Sequence, residues 1–243
     1  MLHRLLAMLA VVFALATPAA AQPFTPGQRE EVVRILREAL TRDPSILREA
    51  ITALQEDETR RADTAARSAI AALRDDLVRT PGDPVGGNPA GDVTVVEFYD
   101  IRCPYCRRMV PVIAELLRRD PGVRVVYKDM PVLGPASMLG ARALLAAQKQ
   151  GGYLKLHALL MTGTPTIDRD ALRVAAGRAG LDWPRLERDM EVPDVAVRIN
   201  NNLAVAQKLR IEGTPAYVIG GTLLPGAVDL ASLEDAVALA RRR

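Results

Sequence analysis

The amino-acid sequence predicts an α/β protein carried behind a helical N-terminal segment, and three observations lead there. Val93–Tyr99 and Val123–Tyr127 are β-branched and apolar enough for strands, with a helix-spaced stretch between them. A long helical block follows, then a short hairpin at Ala216–Leu224. Residues 24–80, by contrast, are helical in pattern and contain no strand.

The chain has 243 residues, 49% hydrophobic and 25% charged, which is ordinary globular composition with room for a sizeable core. Its start has a different character. Met1–Arg4 carries a positive charge, Leu5–Ala16 is unbroken apolar sequence, and Ala19-Ala20-Ala21 precedes Gln22. That is the pattern of a secretory signal peptide cut after Ala21, and the apolar run is shorter than the ~20 residues a membrane span needs. Export to the periplasm is the expectation. Removal of Arg4 with the leader takes the formal charge from +3 to +2. No basic stripe interleaved with aromatics exists, so nucleic acid is not an expected partner; Arg241-Arg242-Arg243 reads as a solvated tail.

Behind the leader, Thr25 or Pro26 opens a helix with Val32, Val33, Ile35, Leu36 and Leu40 on its apolar face. Asp43-Pro44 caps a second, longer helix, whose apolar positions stop at a polar run from Gln55 to Arg61 and resume through Ile70, Leu73 and Leu77. A heptad register does not run through that polar segment, so the pattern is two apolar faces about a charged hinge. Such faces need a covering surface. The expectation is an oligomerisation stalk over residues 22–82, the alternative being helices folded back on the second domain.

The breaker cluster Pro81 to Pro89 reads as a linker, and residues 83–243 as that second domain. Within it, strand Val93–Tyr99, helix Arg107–Arg119 and strand Val123–Tyr127 form a βαβ unit with parallel strands. Helices at Ala136–Gln150, Tyr153–Met161, Ala171–Ala179, Pro184–Met190 and Val195–Leu209 make an insertion over about residues 134–209. Ala216–Ile219 and Thr222–Leu224 pair across Gly220-Gly221, and Leu230–Ala240 closes the chain as a helix.

The chemistry lies in Cys103-Pro104-Tyr105-Cys106, which holds the two cysteines of the chain. A bridge between them closes so short a loop that it adds little stability, so a redox role accounts for them better than a structural one. Directly after a strand, Cys103 would stand at a helix N-terminus, where unpaired N–H groups favour thiolate, with Arg102, Arg107 and Arg108 adding positive charge. Cys103 is then the nucleophile and Cys106, about one turn on, resolves the mixed disulfide. Zinc wants four ligands and the mature chain adds only His157, so no zinc and no other cofactor is expected; Cu(I), which accepts fewer and softer ligands, stays open. Glu97 sits among Val93, Val95, Val96 and Phe98. On a strand covered on both faces it would be desolvated and able to exchange a proton with Cys106; on a poorly covered strand it would face outward.

With the strand, the Cys-Pro-Tyr-Cys run, the interposed helices and Gly213-Thr214-Pro215-Ala216 before the last strand, residues 85–243 resemble the thioredoxin fold of the DsbA family. The resemblance implies that Thr214 and a cis Pro215 lie against the cysteine pair, and that Pro104, Tyr105, Thr214 and Pro215 meet substrate. Glu97, six residues before Cys103, matches the family's buried acid, and Lys128 resembles a lysine that neighbours it. Tyr105 departs from the histidine of strongly oxidising members, and together with Thr214 it resembles the isomerase pattern. The helical segment in front gives a layout similar to suppressor-of-copper-sensitivity C (ScsC) and Com1-like proteins. That likeness implies a homo-oligomer, a trimer by the ScsC layout, acting as a disulfide isomerase on cysteine-containing client proteins and kept reduced by a membrane thiol reductase of DsbD type. A dithiol oxidase using the same residues, a copper-tolerance protein with both thiolates as ligands, and a holdase chaperone are the rival readings.

Overall fold

The structure, a computed structural model, describes residues 24–163 and 166–242; the leader expected over residues 1–21 lies outside them. The elements run α1 (Pro26–Arg42), α2 (Ser45–Ala72), α3 (Arg74–Val78), β1 (Val85–Gly87), β2 (Val93–Tyr99), α4 (Pro104–Arg119) and β3 (Val123–Asp129). Then come α5 (Pro135–Gln148), α6 (Tyr153–Thr162), α7 (Arg169–Ala179), α8 (Trp183–Met190), α9 (Pro193–Lys208), β4 (Ala216–Ile219), β5 (Thr222–Pro225) and α10 (Leu230–Arg241). No helix among the described residues is long and apolar enough to cross a membrane.

The chain divides into two compact units at residues 58/59, not at the 82/83 boundary expected from sequence. In the first unit a full capping box starts α1: the Thr25 hydroxyl accepts from Gln28 N–H, and the Gln28 side chain accepts from Thr25 N–H. Asp43 takes the same role for α2, its carboxylate accepting from Ser45 N–H at 3.0 Å. Val33, Ile35, Leu36, Leu47, Ile51 and Leu54 of this unit are exposed.

The boundary moves because the later apolar face of α2 is core. Ile70, Leu73 and Leu77 are buried with Val96, Phe98, Val126 and Val218 of the sheet. Each fully buried aliphatic side chain is worth roughly 1.5–3 kcal/mol, so this stretch belongs to the second unit. Nor does the polar run at Gln55–Arg61 break the helix: α2 is continuous from Ser45 to Ala72. Gln55, Glu56, Glu58, Arg60 and Arg61 are good helix formers, and propensity carries the helix where the apolar face lapses.

The five-stranded sheet has the order β1-β3-β2-β4-β5. β2 and β3 are parallel, as the βαβ pattern requires, and the remaining pairs are antiparallel. β1 falls inside the stretch read as a linker: two glycines hid it, yet Val85 pairs with Val126 and extends the sheet edge. Along β2 the side chains alternate. Val95 and Tyr99 join Cys106, Met109, Ile113 and Leu116 of α4 on one face, while Val96 and Phe98 meet the end of α2 on the other. Gly220 turns the β4–β5 hairpin at φ 57°, and a Cβ there would stand 2.8 Å from the Ala240 methyl, which restricts the position to glycine.

Candidate active site

Three chain segments meet at the top of β2. The first is the strand end itself, which leads through Asp100 into the cysteine loop. Asp100 is buried and saturated: Oδ1 accepts from Arg102 N–H and the Ser137 hydroxyl, both at 2.8 Å, and Oδ2 accepts from the N–H groups of Val132 (2.8 Å) and Leu133 (3.0 Å). One carboxylate therefore pins the turn before Cys103 to the loop after β3. Its distant partners left no mark in the local sequence, and sequence reasoning missed it.

The second segment is α4. Cys103 is its N-cap (φ −67°, ψ 120°), Pro104 occupies the first turn, and the Cys103 carbonyl accepts from Arg107 N–H at 3.1 Å. Burial at Cys106, Met109, Ile113 and Leu116 marks the helix face turned to the sheet. Both thiols are free and both residues are buried, Cys103 at 4% exposure and Cys106 at 0%. Burial is also the leading reason the Cys106 thiol holds its proton far more tightly than an ordinary cysteine. Tyr105 is exposed, with the Arg108 guanidinium 4.3 Å from its ring centroid. Arg107 is engaged elsewhere, donating to the carbonyls of Ile101, Met161 and Gly163.

The third segment is the approach to β4. The Thr214–Pro215 peptide is cis, and the Thr214 carbonyl accepts from Cys103 Sγ at 3.2 Å. The structure thus brings Cys103, Cys106, Thr214 and Pro215 together.

Glu97 is buried on the face of β2 that carries Val95 and Tyr99. Burial pushes its carboxyl up to about 7, against a hydrogen bond from the Tyr217 hydroxyl (3.0 Å to Oε1) that favours the ionised form. Lys128, expected beside it, is not there. In the β2–β3 register Glu97 stands opposite Tyr127, and Lys128 opposite Phe98. An offset of one residue puts a side chain on the other face of the sheet. Lys128 is buried there, Nζ donating to Asp83 Oδ2 at 2.5 Å and to the Asp76 carbonyl at 2.7 Å, while Arg198 holds the other oxygen of Asp83 at 2.7 Å. The neighbours Glu97 does have are the phenols of Tyr217 and Tyr127.

His157 is packed, its ring 5.0–6.0 Å from those of Tyr99, Tyr127 and Tyr153. Burial lowers its pKa to about 4. Beside it Asp129 accepts from the hydroxyls of Tyr99 (2.8 Å) and Tyr153 (2.9 Å), and burial raises that carboxyl to about 7. Among the described residues no cluster of three or more His, Cys, Asp and Glu could hold a metal ion.

Two neighbouring thiols, one on the N-cap residue of a helix and the other fully buried one turn on, with a buried acid on the sheet face that α4 packs against, form a dithiol centre on a thioredoxin-type sheet. A family model of the DSBA-like thioredoxin domain matches residues 94–238, and the chain belongs to that family. Among solved structures, a thioredoxin-like oxidoreductase from Silicibacter pomeroyi is 46% identical, with a TM-score of 0.68 over 70% of this chain and 98% of that one. Proteus mirabilis ScsC in a transitional conformation is 32% identical, with a TM-score of 0.65 over 89% of this chain and 96% of that one. The thiol:disulfide interchange protein DsbA of Bordetella pertussis is 26% identical over 150 residues, 60% of this chain and 71% of that protein. The Na(+)/H(+) antiporter NhaA 1 of Salinispora arenicola matches 157 residues at 31% identity, 64% of this chain, which spans about a quarter (24%) of the antiporter's length.

Proposed function

We propose that the protein is a periplasmic disulfide isomerase and reductase that acts on client proteins through Cys103 and Cys106. The observation that carries this reading is the asymmetry of the pair. Cys103 sits at the N-cap position with its thiol donating to the Thr214 carbonyl beside exposed Tyr105, whereas Cys106 is fully buried one turn on. Cys103 attacks one sulfur of a client disulfide; the new Cys103–client bond forms as the client S–S bond breaks, and the second client sulfur leaves as a thiolate. That thiolate can attack elsewhere in the client and rearrange its pairing. Alternatively Cys106, its proton passed to Glu97, attacks Cys103 and releases the client as a thiol. The dithiol is then oxidised, and a membrane thiol reductase of DsbD type returns its two electrons.

Pro104, Tyr105, Thr214 and Pro215 form the client-contacting rim in this reading. The direction towards isomerisation is supported by Tyr105, which brings no cation to the cysteine loop, and by the exposed apolar residues of α1 and α2, which suit a homo-oligomer of the ScsC layout with the catalytic pairs turned to a shared cleft. Export rests on the leader sequence. The test is purified chain 22–243 given scrambled and, separately, reduced ribonuclease. Recovery of nuclease activity from the scrambled form under a reducing buffer is expected. Rapid oxidation of the reduced form without unscrambling would establish the oxidase reading instead.

A further inference from the structure

Tyr217 stands on β4 opposite Glu97 on β2, and both belong to the sheet face packed against Cys106. The residue is fully buried, and a phenylalanine would fill the same space without the cost of desolvating a hydroxyl. That hydroxyl donates to Glu97 Oε1 at 3.0 Å, and its own ionisation is opposed first by burial and then by the charges of Glu97 and of Cys106. It is therefore held as an O–H donor, within electrostatic reach of both the Glu97 carboxyl and the Cys106 thiol.

We propose that Tyr217 is the positioning residue of the resolving step: its hydroxyl fixes the Glu97 carboxylate below Cys106 and favours the ionised form that takes the thiol proton. The inference rests on the redox reading above and deepens it. In the step, the Cys106 Sγ proton moves to a Glu97 oxygen and the Cys106 sulfur attacks Cys103. The Cys103–Cys106 bond forms, the Cys103–client bond breaks, and the client sulfur leaves with the electron pair. The two electrons gained by the client disulfide are those lost by the dithiol.

The step should quicken as pH rises through about 7, where Glu97 ionises. In the full chain, Tyr217→Phe removes one hydrogen bond from the carboxylate, which moves the midpoint up by about one pH unit. Release of a peptide thiol from the preformed Cys103 mixed disulfide is then roughly tenfold slower below the midpoint and unchanged on the alkaline plateau. Glu97→Gln removes the inflection, and adding Tyr217→Phe to it has no further effect on the profile. An unshifted midpoint in Tyr217→Phe, or a uniform slowing at every pH, would overturn the proposal, because a merely structural role predicts the latter.

The same shift is read without any exchange reaction by titrating carboxyl-labelled glutamate in the resting reduced protein, Glu97→Gln identifying the signal. If the shift is seen while the chain exchanges no disulfide, the redox reading fails and the pairing stands; if exchange is normal without the shift, the pairing fails alone. Should Tyr217→Phe not fold, 3-fluorotyrosine at residue 217, a stronger donor, is expected to move the midpoint down. No movement there would equally refute the proposal.

Discussion

Replacing Glu97 by glutamine should make the protein more stable at alkaline pH, and the size of the effect follows from the site. Burial lifts the carboxyl from its ordinary 4.5 to about 7 in the folded chain. A folded pKa raised above the unfolded one gives stability that is present below about 4.5 and lost as pH rises to about 7. Each unit of that difference is worth about 1.36 kcal/mol, so the ionised carboxylate costs the fold about 3 kcal/mol above the window. Glutamine keeps the shape and an oxygen to accept from Tyr217, but it has no charge to desolvate. The wild type should therefore lose about 2.5 kcal/mol relative to Glu97→Gln between about pH 5 and about pH 8.5. Asp129, raised for the same reason, is present in both proteins and cancels in the difference. Urea unfolding of the reduced chains, followed by the fluorescence of the lone tryptophan Trp183, supplies the measurement. A wild-type-minus-variant difference that stays constant across the window would refute the account of Glu97 as a desolvated acid.

Other perturbations separate the remaining parts. His157 has the opposite sign: burial depresses it from 6.5 to about 4, so its contribution is present above 6.5 and lost as pH falls through 4. His157→Phe should remove about 3 kcal/mol of that acid-side decline, seen as a lower pH midpoint in acid unfolding. Lys128→Met leaves Asp83 buried with one cation fewer and should cost about 3 kcal/mol in urea, without moving the Glu97 titration. Leu36→Glu combined with Leu47→Glu should reduce the sedimentation mass of chain 22–243 to that of one subunit while leaving its reaction with a small disulfide unchanged. Retention of a multimeric mass would mean that these faces do not hold copies together.

The βαβ order, the helical block and the closing hairpin were legible because each depends on local periodicity and breakers. The place of the cysteine pair, after β2 and at the start of α4, was legible because a strand-like run leads into it and a helix-spaced stretch follows. Less local features were not. Lys128 and Tyr127 are adjacent in sequence, and which of them meets Glu97 depends on the β2–β3 register, which a single strand does not reveal. Tyr217 is likewise a neighbour of Glu97 through the pairing of strands 120 residues apart. Ile70, Leu73 and Leu77 showed their apolar spacing plainly, but a helix face looks the same whether it covers its own sheet or another copy. Asp100 binds groups 32, 33 and 37 residues away, and a lone aspartate after a strand gave no hint of them.

The alternation that sends Glu97 and Lys128 through opposite faces makes the sheet a wall between two electrostatic circuits. One circuit joins Glu97 to Tyr217 on the face that carries Cys106; the other fastens the segment from Asp76 to Asp83. Sites separated in this way have no shared partners, so their mutational effects should simply add. Selection can then alter the face that carries Cys106 and Glu97 without loosening the joint on the other, and change the joint without disturbing that face.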